Sequence, residues 1–203
     1  MRFLTSLCIM ALCAAPAFCQ ATESKPDGTL KPDPKTEAVK LRVGAYFWTG
    51  LAWQPLQKTA QAGGGLKHVG KIFVPGLTPQ MVWTFRDAQA PVQLADGKPL
   101  LCFKFMPGLE NTPYAPSGRD LVIIRFDEKK DHRELQMSSG GNMFTFKSGI
   151  SRERMPDIEW NGVGPETFII TPKEPLKPGE YLLTCSSLGT SGYDFGFHES
   201  KQK

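Results

Sequence analysis

The stretch Leu121-Val122-Ile123-Ile124-Arg125-Phe126-Asp127-Glu128-Lys129-Lys130-Asp131-His132-Arg133-Glu134-Leu135-Gln136-Met137 decides the fold class. It has an apolar first arm, a charged tip at residues 127–131, and a return arm with Leu135 and Met137 on one face, which is the pattern of a β-hairpin. The first arm is apolar on both faces and therefore predicts a central strand that is covered on both sides. The mixed charges of residues 127–134 predict a solvated tip.

Short apolar runs separated by Gly, Pro and Asn lie on both sides of this hairpin. In Met81-Val82-Trp83-Thr84-Phe85-Arg86, period-two alternation places Met81, Trp83 and Phe85 on one face. About ten such strands at close spacing predict an all-β fold, a single antiparallel β-sandwich of Ig-like or related type. The expected strands are residues 41–48, 51–56, 71–74, 80–86, 91–94, 99–106, 120–126, 133–138, 142–147, 166–171, 179–186 and 193–198. Residues 149–164 are polar and irregular, and predict a large surface loop with room for one short helix.

The N-terminus predicts export. Arg2 precedes an apolar run that reaches Ala15, and small residues then converge on a cleavage zone after Ala17 or Cys19, as in a secretory signal peptide. The run is shorter than the roughly 20 apolar residues that a membrane span needs. We expect residues 1–19 to be removed and the mature chain, which has no other long apolar segment, not to span a membrane. The protein is then periplasmic or extracellular.

The chain is expected to continue with a disordered linker and one folded domain. Residues 20–39 are polar, and Pro26, Pro32 and Pro34 are expected to preclude a helix there. Residues 40–203 are the expected β-sandwich domain. The formal net charge of the whole chain is only +4 and the charges are interspersed, so no basic patch for nucleic acid is visible.

The cysteines fit an oxidising compartment. Three of the five cysteines lie in the predicted signal peptide, which leaves Cys102 and Cys185. A pair in an exported chain is the minimum for one disulfide, so a Cys102–Cys185 bridge is expected. Two buried thiols are the alternative.

Several stretches resemble a group of uncharacterised secreted bacterial β-sandwich proteins. They are residues 44–48 (Gly-Ala-Tyr-Phe-Trp), 129–135 (Lys-Lys-Asp-His-Arg-Glu-Leu), 170–181 (Ile-Thr-Pro-Lys-Glu-Pro-Leu-Lys-Pro-Gly-Glu-Tyr) and 193–196 (Tyr-Asp-Phe-Gly). The resemblance covers roughly residues 43–197 and rests on turn and strand motifs. It implies the fold and export, and it implies no activity and no catalytic residue.

A search for catalytic and metal-binding motifs finds none. The sequence lacks a zinc-protease helix motif, a Gly-x-Ser-x-Gly elbow and a phosphate-binding loop. Residues 63–65 (Gly-Gly-Gly) are interpreted as a flexible turn. His68, His132 and His198 fall in separate segments and predict no metal site. We therefore expect no cofactor and no catalytic residue.

The aromatic residues near the start of the domain are the best candidates for binding. If Thr49 and Gly50 form a two-residue hairpin turn, then Tyr46, Trp48 and Trp53 share one face of a sheet. Exposed, this triplet would offer a stacking platform for a sugar ring or a peptide. Packing in the core or beneath a loop is the alternative.

These observations favour a non-enzymatic binding or interaction module of the cell envelope whose partner is an envelope protein or a polysaccharide. One alternative is a secreted carbohydrate-active or other hydrolase that uses dispersed carboxylates, and Asp157 and Glu159 beside Trp160 are the best local candidates. Another alternative is a structural envelope component that pairs through the edges of its sheets.

Overall fold

The computed structural model describes residues 31–67, 80–108, 117–137, 149–185 and 191–199. The predicted signal peptide, linker residues 20–30, His68, and the strands expected at residues 71–74 and 142–147 lie outside the described residues. The described residues from Pro32 onward belong to one compact unit.

Antiparallel β-strands dominate the described residues. One α-helix, α1, spans Pro34–Val39. The strands are β1 (Gly44–Trp48), β2 (Trp53–Pro55), β3 (Gln57–Lys67), β4 (Gln80–Arg86), β5 (Gln93–Leu94), β6 (Leu101–Lys104), β7 (Leu121–Arg125), β8 (Asp127–Glu128), β9 (His132–Gln136), β10 (Ile158–Gly164), β11 (Thr167–Pro172), β12 (Gly179–Cys185) and β13 (Ser191–Phe197).

The strands form two sheets. The first has the order β10-β11-β6-β1-β2, and the second has the order β7-β12-β13-β3-β4-β9-β8, with β5 added parallel to β13. The two sheets pack face to face over a core in which residues of β6 and β1 meet residues of β7, β12 and β13. The predicted all-β sandwich is therefore confirmed. The buried side chains of this core include Ala45, Leu101, Phe103, Ile123, Leu183 and Phe195.

The second sheet curls so far that its two ends meet. β7 and β8 stand at opposite ends of the strand order, yet only Phe126 separates them in the chain. A second apolar cluster fills the inside of the curl, formed by Phe85, Ile124, Phe126, Leu135 and Leu182. Because Ile123 faces the first core and Ile124 the second, β7 is covered on both sides, as predicted. It stands at the end of the strand order, however, so the prediction that it is a central strand is wrong.

The prolines do not preclude a helix in the predicted linker. Residues 34–39 form α1, with Pro34 in its first turn and the Asp33 carboxylate accepting a hydrogen bond from the Lys35 backbone N–H. Proline is tolerated in the first turn because the missing N–H has no partner inside the helix there. Ala38 is fully buried against the first sheet, so the ordered domain begins before Lys40.

Cys102 and Cys185 are not joined in a disulfide, which corrects the predicted bridge. Side chains alternate along a strand. Leu101 and Phe103 of β6 face the core between the sheets, so Cys102 faces the outer side, where it packs with Trp53. Cys185 faces the core between the sheets.

Four local predictions are corrected by strand pairing. The two arms of the hairpin predicted at residues 121–137 do not pair with each other, because β7 pairs with β12 while β9 pairs with β4 and β8. The hairpin between β1 and β2 has a four-residue loop, so Trp48 pairs with Trp53 and not with Leu51. The glycines at residues 63–65 lie inside β3, paired with β4, and do not form a turn. The second half of the predicted surface loop is β10, paired with β11, while residues 152–154 form the short helical turn.

The entry into β12 is locked by Tyr181. Its hydroxyl donates a hydrogen bond to the carbonyl oxygen of Lys177, four positions earlier, and its ring stacks on Phe195, with 5.5 Å between the ring centroids. A tyrosine that bonds back to the chain just upstream is a feature of Ig-type corners. These two contacts hold the Pro178-Gly179 turn, after which Glu180 lies in β12.

Candidate functional site

The three predicted aromatic residues lie together on the outer face of the first sheet. Trp48 and Trp53 are direct cross-strand partners, with 5.2 Å between the ring centroids and an interplanar angle of 60°. Tyr46 packs in the same cluster. They share a face because residues directly opposite each other in an antiparallel pair point to the same side.

Two of the three aromatic residues, Trp53 and Tyr46, donate hydrogen bonds to nearby backbone carbonyl oxygens. Trp53 is 8% exposed, and its indole N–H donates a 3.0 Å hydrogen bond to the carbonyl oxygen of Pro34 in α1. The Tyr46 hydroxyl donates to the carbonyl oxygen of Arg42 at 3.2 Å. α1 therefore covers Trp53. Tyr46 and Trp48 are both half-buried, and of these two Trp48 is the one that lines a groove.

Trp48 is half-buried and forms one side of an open groove. The groove has a volume of about 540 Å³ and runs between the end of β1 and the segment from β5 to β6. Thr49 closes the hairpin loop by donating from its backbone N–H and hydroxyl to the carbonyl oxygen of Ala52. The lining thus combines the aromatic residues Phe47 and Trp48 with polar residues. The other lining residues include Gln93, Asp96, Lys98 and Pro99.

A buried charge cluster occupies the inside of the curled second sheet. Arg133 of β9 is 1% exposed, and its Nη2 donates a 2.7 Å hydrogen bond to Oδ2 of Asp194 on β13. Its Nη1 lies 3.6 Å from Oε2 of Glu180 on β12. The guanidinium also lies over the ring of Phe126, 5.0 Å from the ring centroid.

Glu180 is held from several sides. The backbone N–H of Ala90 donates to its Oε2 at 2.5 Å, and the amide of Gln93 donates to its Oε1 at 3.0 Å. The ring nitrogen Nε2 of His198 lies 3.0 Å from the same Oε1. With these partners the fully buried carboxylate ties the segment between β4 and β5 to β12.

The carboxylate of Asp194 has fewer hydrogen-bond partners than that of Glu180. Burial raises the pKa of its carboxyl group, although the hydrogen bond from Arg133 opposes that shift. Within the described part of the chain, Asp194 Oδ1 and Arg133 Nη1 are buried side-chain atoms with no hydrogen-bond partner. Native proteins leave few such atoms unpaired, and Nη1 keeps only the longer 3.6 Å ion pair with Glu180.

The sequence interpretation missed this cluster. Arg133 was expected on a solvated hairpin tip, which is wrong, because it is one of the largest fully buried side chains. Three of the stretches that carry the family resemblance each supply one member, namely Arg133, Glu180 and Asp194. The available signal was a lone charge in an otherwise alternating apolar strand, as in Tyr193-Asp194-Phe195.

The two described histidines, His132 and His198, lie in different parts of the fold. His132 lies between Asp131 and Glu134 near the surface, whereas His198 contacts Glu180. The described residues contain no group of three or more His, Cys, Asp or Glu side chains that could hold a metal ion.

The carboxylates suggested for hydrolysis lie around β10. Asp157 forms an ion pair with Arg152 before the strand begins, and Glu159 is exposed on the strand itself. Trp160 is 41% exposed and packs edge-on against Phe168. Glu153 and Glu174 line a surface pocket together with Asp157.

No protein family, curated protein or solved structure matches this chain. The resemblance to secreted bacterial proteins therefore stays a prediction. Among the described residues, no helix is both long enough and apolar enough to cross a membrane.

Proposed function

We propose that this protein is an exported, non-enzymatic binding module of the cell envelope that holds a polysaccharide in the groove beside Trp48. The observation that carries the proposal is that half-buried Trp48 lines a groove of about 540 Å³ together with Phe47 and several polar residues. Grooves of this size, with an apolar wall and a few polar groups, are typical of small-ligand sites.

The composition of the groove favours a sugar. The C–H face of a pyranose ring stacks on a flat aromatic surface, while its hydroxyl groups need both donors and acceptors. Asp96 and Gln93 supply acceptors, and Lys98 supplies a donor. The cross-strand contact with Trp53 and the hydrogen bonds of Thr49 hold Trp48 in place before a ligand binds. This order in the free protein lowers the entropic cost of binding.

The finer assignments belong to the same proposal. Export to the periplasm or beyond is supported by the apolar N-terminal run with its small-residue cleavage zone. An Ig-like arrangement is supported by the Tyr181 hydroxyl that bonds back to Lys177. A structural role through pairing of sheet edges is less favoured. β10 at one edge has a register irregularity between Gly162 and Gly164, and such an irregularity makes an edge strand a poorer partner for a strand of another molecule.

A binding screen with matched tryptophan variants tests the proposal. The protein, Trp48→Ala and Trp160→Ala are presented to a panel of soluble cell-wall and capsular polysaccharides, and bound fractions are measured. Trp160 is the control because it is a partly exposed tryptophan outside the groove. We expect one glycan class to bind the protein and Trp160→Ala alike, and Trp48→Ala at least about tenfold more weakly, which is about 1.4 kcal/mol.

The same screen separates the hydrolase alternative. Reducing ends released from any polysaccharide by the protein would favour hydrolysis over simple binding. Equal binding by Trp48→Ala and by the unchanged protein would contradict the groove as the site.

A further inference from the structure

One polar side chain of the groove beside Trp48 has a fixed orientation. Gln93 lies in β5 opposite Gly196 of β13, and it is an exposed residue that lines the groove. Its amide nitrogen Nε2 donates a 2.9 Å hydrogen bond to the carbonyl oxygen of Ala90 and a 3.0 Å hydrogen bond to Oε1 of Glu180. Two acceptors of the protein therefore hold the nitrogen of this amide.

These two hydrogen bonds decide which atom of Gln93 a ligand meets. A primary amide has two N–H donors and one carbonyl oxygen, and both donors of Gln93 are used by Ala90 and Glu180. A flipped amide would place its oxygen against a carbonyl oxygen and a carboxylate oxygen and would lose both bonds. Within the described part of the chain, Oε1 of Gln93 accepts no hydrogen bond. This oxygen is therefore the polar atom that is left for a ligand.

The base on which this amide rests is ordered in the free protein. A Cβ atom at Gly196 would overlap both terminal atoms of the Gln93 amide, so the glycine provides the space for it. Glu180 is fully buried, accepts a hydrogen bond from the backbone N–H of Ala90, and lies 3.0 Å from Nε2 of His198. The acceptor on Gln93 is thus positioned before a ligand binds, which lowers the entropic cost of binding.

We propose that Gln93 is the specificity-determining residue of the groove, and that its Oε1 accepts a hydrogen bond from one free hydroxyl group of a sugar ring held against Trp48. This inference rests on the proposed binding of a polysaccharide in the groove. Because Gln93 offers an acceptor and no donor, the ligand group opposite it must be a donor. A site built to hydrogen-bond a hydroxyl group rejects the analogue that lacks it. The groove therefore selects glycans in which this hydroxyl is unsubstituted.

Deoxy and deoxyfluoro sugars test the proposal. The probes are soluble tetrasaccharides of glucose, mannose, galactose or N-acetylglucosamine, chosen to match the polysaccharide that binds, and analogues in which hydrogen or fluorine replaces one hydroxyl. Fluorine is close to a hydroxyl group in size and cannot donate a hydrogen bond. We expect the loss of one particular hydroxyl to weaken binding about three- to tenfold, as for a neutral hydrogen bond, and fluorine at that position to weaken it as much. Full affinity for every fluoro analogue would overturn the proposal.

Two matched variants assign this hydroxyl to Gln93. Gln93→Ala removes the amide from the groove, and Gln57→Ala removes an exposed glutamine that does not line it. We expect Gln93→Ala to bind the parent sugar and the deoxy analogue alike, and Gln57→Ala to keep the difference between them. A variant that has merely lost structure would bind both sugars more weakly and keep their ratio.

The outcomes separate this inference from the proposed function. Binding that depends on Trp48, with the same ratio of parent to deoxy affinity in Gln93→Ala as in the unchanged protein, would overturn the role of Gln93 alone. The absence of binding to every polysaccharide would overturn the proposed function and this inference together.

Discussion

Arg133 and Asp194 are joined by a 2.7 Å hydrogen bond that crosses the inside of the second sheet. They belong to β9 and β13, which are separated in the strand order by β3 and β4. The bond therefore holds the curl of the sheet together from within. Because Arg133 also donates hydrogen bonds to the carbonyl oxygens of Arg86 and Asp87, one side chain holds both the curl and the turn that follows β4.

Loss of Arg133 is expected to be strongly destabilising. Arg133→Met leaves the carboxylates of Asp194 and Glu180 without their shared cation in a buried site. Removal of one partner of a buried ion pair costs about 3–5 kcal/mol. The free energy of unfolding in urea measures this loss.

A control and a compensated variant sharpen that measurement. Lys129→Met removes an exposed lysine that lies 3.7 Å from Glu134, and should cost at most about 1 kcal/mol. Replacement of Arg133, Glu180 and Asp194 together by apolar residues should recover much of the stability lost in Arg133→Met, because no unpaired charge then remains. A loss of less than about 1 kcal/mol in Arg133→Met would contradict the role assigned to the cluster.

Stability is expected to fall as the pH rises through the neutral range. His132 Nδ1 lies 2.6 Å from Asp131, and Nε2 lies 3.2 Å from Glu134. Hydrogen bonds to these carboxylates raise the pKa of His132 above its ordinary value of about 6.5. Stability from such a group is complete below the unfolded-state pKa and is lost as the pH rises through the folded-state pKa.

Urea midpoints between about pH 5.5 and 8.5 test this dependence. We expect the midpoint of the unchanged protein to decrease across the upper part of that range, and His132→Asn to flatten the decrease. The same slope in both proteins would show that another group is responsible.

The Cys102 thiol is expected to be inert in the folded protein. Burial raises its pKa to about 12, and the thiolate is the reactive form. Alkylation at about pH 8, followed by peptide mass spectrometry, should label Cys102 only after unfolding in urea without a reductant. Recovery of a disulfide-linked pair of peptides containing Cys102 and Cys185 would contradict the structure.

Docking of α1 is expected to depend on Ala38. Its side chain is fully buried, so Ala38→Glu places a charge against the first sheet and should cost about 1–3 kcal/mol. Because α1 covers Trp53, the variant should also shift tryptophan emission to longer wavelength. Lys35→Glu, on the exposed side of the helix, is the control and should leave the emission unchanged.

Strand alternation made much of the fold predictable. Period-two patterns located β4 and β9, and a run that is apolar on both faces located β7, which two cores cover. Besides the two-residue β8, two long strands were missed for a physical reason. β3 contains Gly63, Gly64 and Gly65, and β10 contains Asn161 and Gly162, residues with low β-propensity, so pairing with β4 and β11 overrides the local preference.

The site could be predicted only in part. Trp48 was found because an aromatic hairpin is visible in the sequence. The sequence did not show that α1 would cover Trp53, because this contact depends on tertiary docking. The helix itself was not predicted because Pro34 was expected to preclude one. The burial of Arg133 was not predictable from local pattern, since a charged residue near a hairpin tip is usually solvated and only the curl of the second sheet buries this one.

The most direct test of the binding function observes Trp48 itself. The protein has four tryptophans, so ¹⁵N labelling of the indoles gives separate signals for Trp48, Trp53, Trp83 and Trp160, assigned by single substitutions. Titration with soluble oligosaccharides from the polysaccharide class that binds is expected to move the Trp48 signal with a saturable dependence and to leave Trp160 in place. Saturable binding that leaves the Trp48 signal unmoved would contradict the groove as the binding site.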